Sequence, residues 1–495
     1  MRRLFLLPLL LSAATASAAV TGTVVADDGA PLAGARVRAF AREPFSATAA
    51  RLLSSSPDPV PIATAESAAD GRFFIDAKGN ATIDIVVDAA GREPAALYAA
   101  DGDDAGAVSL STANKARRVR VVADGKPVAN ALLYLGHSLL VRSDTQGNAV
   151  RTSTGEPGFI VHPDYGVGII AERNGEVQLR RGTALRGRVV ARDGTTPVAG
   201  AAIVAGGWPM ARSGDDGTFT IAHAPVRLHA LVAVSGNDAG SAAVDGAKPT
   251  QIRLGTAASL SGTVTAKGQT PVAGATVSIS SEGQFDSAVT DAKGHYAIPA
   301  LPAETYLARA SHPAYVNAGM GDVRATPAAT RAFALQPRSR VRGVVLTEDN
   351  KPAAGAFVSG GRFGMNPIAM TTPAGEFTVR LAESGRIWVE AWKSGYAVAL
   401  SRPFTVQPGE TKSGVTLTLQ RGFPLQVKVV DRDRVPVANA AVDISLAAVA
   451  DAYDVVPVPC SVVDRLKCRL TGADGVMESR LGEGKYSVRV VGADF

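Results

Sequence analysis

Cysteine is nearly absent: the 495 residues contain two, Cys460 and Cys468. Neither has histidine or further cysteine at ligand spacing, which argues against zinc. In an exported chain such a close pair reads as one local disulfide. Two free thiols are the alternative, because bridging depends on geometry. Histidine is scarce as well. His137, His162, His223, His229, His295 and His312 form neither a His-x-x-Glu nor a His-x-x-x-His pair, so a zinc-peptidase centre is not expected. No Gly-x-x-x-x-Gly-Lys-(Ser/Thr) run occurs, which removes the P-loop NTPases. Aromatics are 5% and charged residues 19%, and the net charge of +6 is thinly spread. The densest basic run, Lys115 to Arg120, reads as the entry to a strand. The clustered positive face that nucleic acid requires is missing. Beyond the N-terminus no apolar stretch reaches the ~20 residues of a membrane span. These absences lead to an expectation of no enzyme activity, no cofactor and no metal.

What is present is turn chemistry and repetition. There are 51 glycines and 29 prolines, without a collagen-like period. Met1-Arg2-Arg3, the apolar run Leu4 to Leu11 and Ala16-Ser17-Ala18 form a secretory signal peptide over residues 1–19. The chain is therefore expected to be periplasmic or extracellular, with no transmembrane span after cleavage.

A motif Pro-x-x-(Gly/Asn)-Ala then recurs six times, beginning at Pro31, Pro127, Pro197, Pro271, Pro352 and Pro436. Each copy is followed by a turn closing on glycine before another strand: Gly71, Gly147, Gly217, Gly294, Gly375 and Gly475. Before each proline runs a stretch of alternating apolar residues, such as Leu260 to Thr265, which is the pattern of a half-buried strand. Proline lacks an N–H and belongs at the turn or edge. The position three residues later takes only Gly or Asn, which predicts a positive φ. A further strand closes most units, with Ile83, Ile85 and Val87 facing inward in the first. Tyr306, Ala308 and Ala310 do so in the fourth, Ile387, Val389 and Ala391 in the fifth, and Tyr486, Val488 and Val490 in the last.

The expected architecture is all-β: a tandem array of about six small Greek-key β-sandwiches. The units are 20–115, 116–184 (divergent), 185–258, 259–339, 340–423 and 424–495. At about 70–95 residues each can bury its own core, and six in a row would reach ~150–200 Å if extended. The insertion between Ala41 and Ala69 is a loop or a short helix. The last unit stops at Phe495 without the strand represented earlier by Gly414 to Leu419. Either the sequence stops short there or the sixth sheet has an open edge.

These landmarks resemble the carboxypeptidase regulatory-like family over nearly the whole chain. The likeness is clearest at Leu260–Val316 and Val341–Tyr396 and weakest at Val119–Gly182. The resemblance implies a transthyretin-like, seven-stranded sandwich often grouped with carbohydrate-binding-like folds. It implies an accessory, non-catalytic role in exported bacterial proteins, with no fixed ligand.

Four further sites stand out. Trp388, Glu390 and Trp392 share the strand face opposite Ile387, Val389 and Ala391, with the indoles ~13 Å apart. Two aromatics flanking an acid can stack on sugar rings; the alternative is packing on a neighbouring strand or unit. Asp101-Gly102-Asp103-Asp104 reads as a solvated turn between units, with calcium as the rival. Gly136-His137-Ser138 begins like a nucleophile elbow but lacks the closing glycine, so it reads as a strand end beside a turn. Trp208, followed by Pro209, reads as a loop plug. The functional expectation is a non-catalytic, exported structural or binding protein of the bacterial cell envelope. The alternative is a polysaccharide- or peptidoglycan-binding protein using Trp388, Glu390 and Trp392. Partners would be polysaccharide or other envelope proteins.

Overall fold

The computed structural model describes residues 19–491 except 27, 113–117, 151–157, 174, 183, 226–227, 247, 267–268, 317–320, 362–368, 394, 439, 447–468 and 482–485. The signal segment up to residue 18 and both cysteines lie outside the described residues.

Strands come in pairs of small sheets. In the first unit Arg72–Ile75, Val20–Val25 and Asp104–Ser109 form a three-stranded sheet. Ala63–Glu66, Arg36–Ala41, Thr82–Asp88 and Ala95–Ala100 form the four-stranded sheet that faces it. The first strand pairs antiparallel on one side and parallel with the last strand on the other. The third unit repeats this about Leu185–Val190, the fourth about Ala258–Ala266 and the fifth about Arg340–Thr347. The second unit, about Arg118–Ala123, has the same parallel neighbour in Glu176–Gln178. The sixth is reduced. Among the described residues Phe423–Lys428 pairs with Val476–Leu481 alone, opposite a three-stranded sheet of Arg469–Leu470, Ala441–Leu446 and Tyr486–Val491.

The recurring motif has a side-chain clip. Ser67, Ser143, Ser213, Thr290, Thr371 and Thr471 each accept the N–H of the motif alanine and donate to the carbonyl of the residue after the proline. For Ser67 these partners are Ala35 and Leu32, at 2.9 and 2.6 Å. The hydroxyl thus satisfies two buried backbone groups that a loop would otherwise leave unpaired. The residue between proline and alanine has φ of 57° to 73° in the five units where it is described, as its Gly/Asn restriction predicts.

A second pairing fixes the core. Gly22, Gly187, Gly262 and Gly343 on the first strands lie directly opposite Phe73, Phe219, Tyr296 and Phe377. A Cβ on Gly22 would stand 2.6 Å from the Phe73 ring. Where the first strand carries valine instead, the partner is smaller: Val119 faces Ala149 and Val427 faces Met477. The inward residues expected in the first, fourth and fifth units are fully buried. Of those expected in the sixth, Val488 and Val490 are 45% and 42% exposed.

The units are not independent beads. Phe40 and Val86 of the first unit are buried in one cluster with Val119, Val121 and Leu133 of the second. The strand Thr82–Val87 is consequently buried on both faces. The insertion in the first unit contains the helix Phe45–Leu52. Its buried side packs into an aromatic junction with Phe159 of the second unit, Trp208 of the third and Phe285 of the fourth. Trp208 is therefore a strand residue, 3% exposed, that closes a seam between units rather than plugging a loop. The array folds back on its first unit.

Candidate functional site

On the strand Gly385–Trp392, Ile387, Val389 and Ala391 enter the core, while Trp388, Glu390 and Trp392 lie half-buried on the opposite face. Antiparallel register sets Phe357 against Trp392 and Ser359 against Glu390. The Trp392 ring stacks on Phe357 at 5.7 Å between centroids and 22° between planes. One face of that indole is therefore occupied within the sheet. Trp388 stands opposite Gly361, at the border of residues 362–368 outside the described set. The arrangement is a short aromatic–acid–aromatic stripe, narrower than the alternation alone suggests.

In the acidic turn Gly102 is exposed and Asp104 partly so, but Asp103 is neither solvated nor free for a cation. Asp103 is 4% exposed and lies in the turn joining two strands of the first unit, not in the linker to the second. Arg340 of the fifth unit donates to its Oδ1 at 2.8 Å, and Arg380 approaches Oδ2 at 2.7 Å as an ion pair. Arg380 also donates to the Asp104 carbonyl at 3.0 Å. A carboxylate already neutralised by two guanidinium groups has little left to offer calcium.

A second polar cluster joins the first, second and fourth units. Asp84, 4% exposed, accepts from Arg42 at 2.7 Å and from the Ser138 hydroxyl at 3.1 Å, with His137 Nδ1 at 3.4 Å. Burial would raise the Asp84 carboxyl, but the Arg42 guanidinium and the His137 contact outweigh it and hold it below the ordinary value. Arg42 stacks over the Tyr98 ring at 4.3 Å and reaches Thr276 of the fourth unit at 3.2 Å. The Tyr98 hydroxyl donates to the Gly274 carbonyl at 2.8 Å, and burial raises its pKa. His137 and Ser138 lie in the turn between Leu132–Tyr134 and Leu140–Arg142, both at positive φ. In a Ser–His–acid relay the imidazole stands between hydroxyl and carboxylate. Here the hydroxyl reaches the carboxylate directly, so the geometry is that of a docking clip.

A cleft of about 680 Å³ opens beside the aromatic junction, lined by Leu53 and Pro57 of the first unit, Arg142 and His162 of the second, and Met210 and His223 of the third. Among the described residues no group of three or more His, Cys, Asp or Glu side chains is placed to hold a metal. No described helix is long and apolar enough to cross a membrane. The docking clusters were invisible in the sequence, because their members stand 53 and 237 residues apart. The six hydroxyl clips did leave a signal, a Ser or Thr four residues before each turn glycine.

Residues 259–336 match the family model of the carboxypeptidase regulatory-like domain. No curated protein matches the chain. Among solved structures, the Bacillus anthracis TIE protein is similar at 14% identity over 69% of this chain and 67% of its own, with a TM-score of 0.18. The minor pilin GBS52 of Streptococcus agalactiae is 15% identical over 36% of this chain and 100% of its own, TM-score 0.23. A DUF3823 family protein of Parabacteroides merdae is 8% identical over 30% and 98%, TM-score 0.15.

Proposed function

We propose that this chain, whose fourth unit is a carboxypeptidase regulatory-like domain, is an exported, non-catalytic scaffold of the bacterial cell envelope. It presents its surfaces from a folded-back block rather than spacing them along a rod. The observation that carries the reading is the fate of the buried charge. Two clusters of ionisable side chains, around Asp84 and around Asp103, lie at seams between units, and in each an arginine meets the buried carboxylate. Charge buried in this way fixes the relative placement of units, the kind of specificity for which buried ion pairs are retained. Small-angle scattering tests it. A compact chain of this length has a radius of gyration of about 23 Å. A rod of ~150–200 Å gives roughly 45–60 Å, and such a value overturns the folded-back scaffold. Turnover of a peptide or ester by the purified chain overturns the non-catalytic reading, and a form retaining residues 1–18 in the envelope fraction overturns cleavage.

A second reading is polysaccharide or peptidoglycan binding at Trp388, Glu390 and Trp392. Their shared, half-buried face supports it; the Phe357 stack takes up one face of the Trp392 indole. Tryptophan fluorescence titrated with glycans checks it. A saturable shift abolished by Trp388→Ala supports binding, and no shift with any glycan removes it.

A further inference from the structure

The helix Phe45–Leu52 belongs to the first unit in sequence and to the others in packing. Its buried residues Phe45, Ala49 and Leu52 share a cluster with Leu132, Val161 and Val167 of the second unit and Trp208 of the third. Phe285 of the fourth packs against the same cluster. Among the described residues, no member of that cluster comes from the two sheets of the first unit. Conversely, the core of the first sandwich, around Val24, Phe73 and Ile85, includes no side chain from residues 43–57. That sandwich is therefore complete without the insertion.

The start of the helix also leans on another unit. The first N–H groups of a helix have no partner inside it. Pro44, at the N-cap, makes no side-chain bond. Instead the Phe45 N–H donates to the Ser287 hydroxyl at 2.8 Å, and the Ser46 N–H to Asp286 Oδ1 at 3.0 Å. Both acceptors stand on Phe285–Val289 of the fourth unit. The insertion is otherwise tied to itself. Glu43 accepts from Arg51 at 3.2 Å and from the Thr48 hydroxyl at 3.3 Å, and Arg51 donates to the Pro57 carbonyl. Eight residues fall well short of the ~12–15 at which isolated helices become marginally stable in water. Away from its socket this helix would lose both caps and the cover of its apolar side.

We propose that residues 43–57 are a latch. They fold onto a socket made by the second, third and fourth units and release from it as one piece, while every sandwich stays folded. Release bares Phe159, Trp208 and Phe285, which meet Phe45 in the closed form. It also removes Leu52, Leu53 and Pro57 from the wall of the cleft. The inference rests on the folded-back block and goes beyond it, since it adds a closure that operates inside that block.

Amide exchange of the full chain tests it. The amides of residues 48–53 should exchange at least about ten-fold faster than those of Thr82–Asp88, through an opening of their own. Ser287→Ala removes one cap and no apolar surface. It should speed exchange at 48–53 about five-fold and leave both Thr82–Asp88 and the fourth unit's Thr305–Ser311 unchanged. Equal rates at 48–53 and Thr82–Asp88 mean that the helix opens only with the whole first unit, and overturn the latch. No effect of Ser287→Ala, or an equal effect on Thr305–Ser311, overturns it too. Absence of any protection at 48–53 means that the helix is not seated in solution. That result also overturns the latch, and the radius of gyration then shows whether the folded-back block fails with it.

Discussion

Asp103→Asn removes one charge and almost no volume from the seam between the first and fifth units. In the wild type Arg340 and Arg380 are cross-strand neighbours, directly opposite each other on one sheet. Like charges so placed repel, and the Asp103 carboxylate between them is what makes the arrangement stable. Burial opposes the Arg380 charge, Asp103 supports it and Arg340 opposes it further. The Asp103 side chain is 2% exposed, against 26% for Arg340 and 19% for Arg380. Removing one member of a buried ion pair costs about 3–5 kcal/mol. The partial exposure of the arginines reduces this to roughly 2–4 kcal/mol. The backbone of Asp103 keeps its bonds to Thr21 and Ala100, so the first unit itself stays folded. At 1.4 kcal/mol per decade the open form of this seam should rise about 30- to 700-fold. Limited proteolysis with trypsin reads that population directly, because cleavage at Arg340 and Arg342 requires opening. Asp104→Asn is the control. Its contact with Arg342 is 4.0 Å long with both side chains over 40% exposed, so it should change the rate by less than about five-fold. Equal, small effects from the two substitutions would refute the argument that Asp103 fastens the seam.

Other predictions follow from the same reasoning. Burial pushes the His312 imidazole down to about 4 from 6.5. The fold therefore holds the neutral ring: stability is full above pH 6.5 and falls, by roughly 3 kcal/mol, as the pH drops towards 4. An NMR titration of the His312 ring with a midpoint near 6.5 would contradict this. Gly22→Ala should destabilise by about 1–3 kcal/mol because its Cβ meets the Phe73 ring. Pairing it with Phe73→Leu should cost less than the sum of the two single changes in a denaturant double-mutant cycle. Strict additivity would show that the ring does not set the glycine requirement.

The sequence carried the local rules well. The alternation that marks Ile387, Val389 and Ala391 as inward is a property of one strand, and all three are fully buried. The Gly/Asn restriction follows from φ at one residue, and the positive values are there. What alternation does not convey is which neighbour covers the other face. Val86 and Phe40 read as part of ordinary strands of the first unit, yet they belong to the core of the second. Phe45 gives no sign that it meets Phe285, 240 residues later. From sequence alone Asp103 reads as solvated, because its arginines are supplied by a distant strand pair. At Trp392 the face was legible and the Phe357 stack was not, since register between strands is a tertiary property.

The central position of the first unit bears on how the chain acquires its shape. Emerging N-terminus first, it completes its own two sheets early, while Phe40, Val86 and the helix Phe45–Leu52 await neighbours still to be made. The second unit covers the first two, but Phe285 arrives about 240 residues after Phe45, and the Arg340–Arg380 clamp later still. Contacts of such separation form slowly, and apolar surface left open in the meantime invites association with other chains. The last step of maturation is then a docking of finished sandwiches, independent of protein concentration and slower than the folding of any one of them. A holding factor that shields the first unit during that interval would raise the yield without touching the final structure.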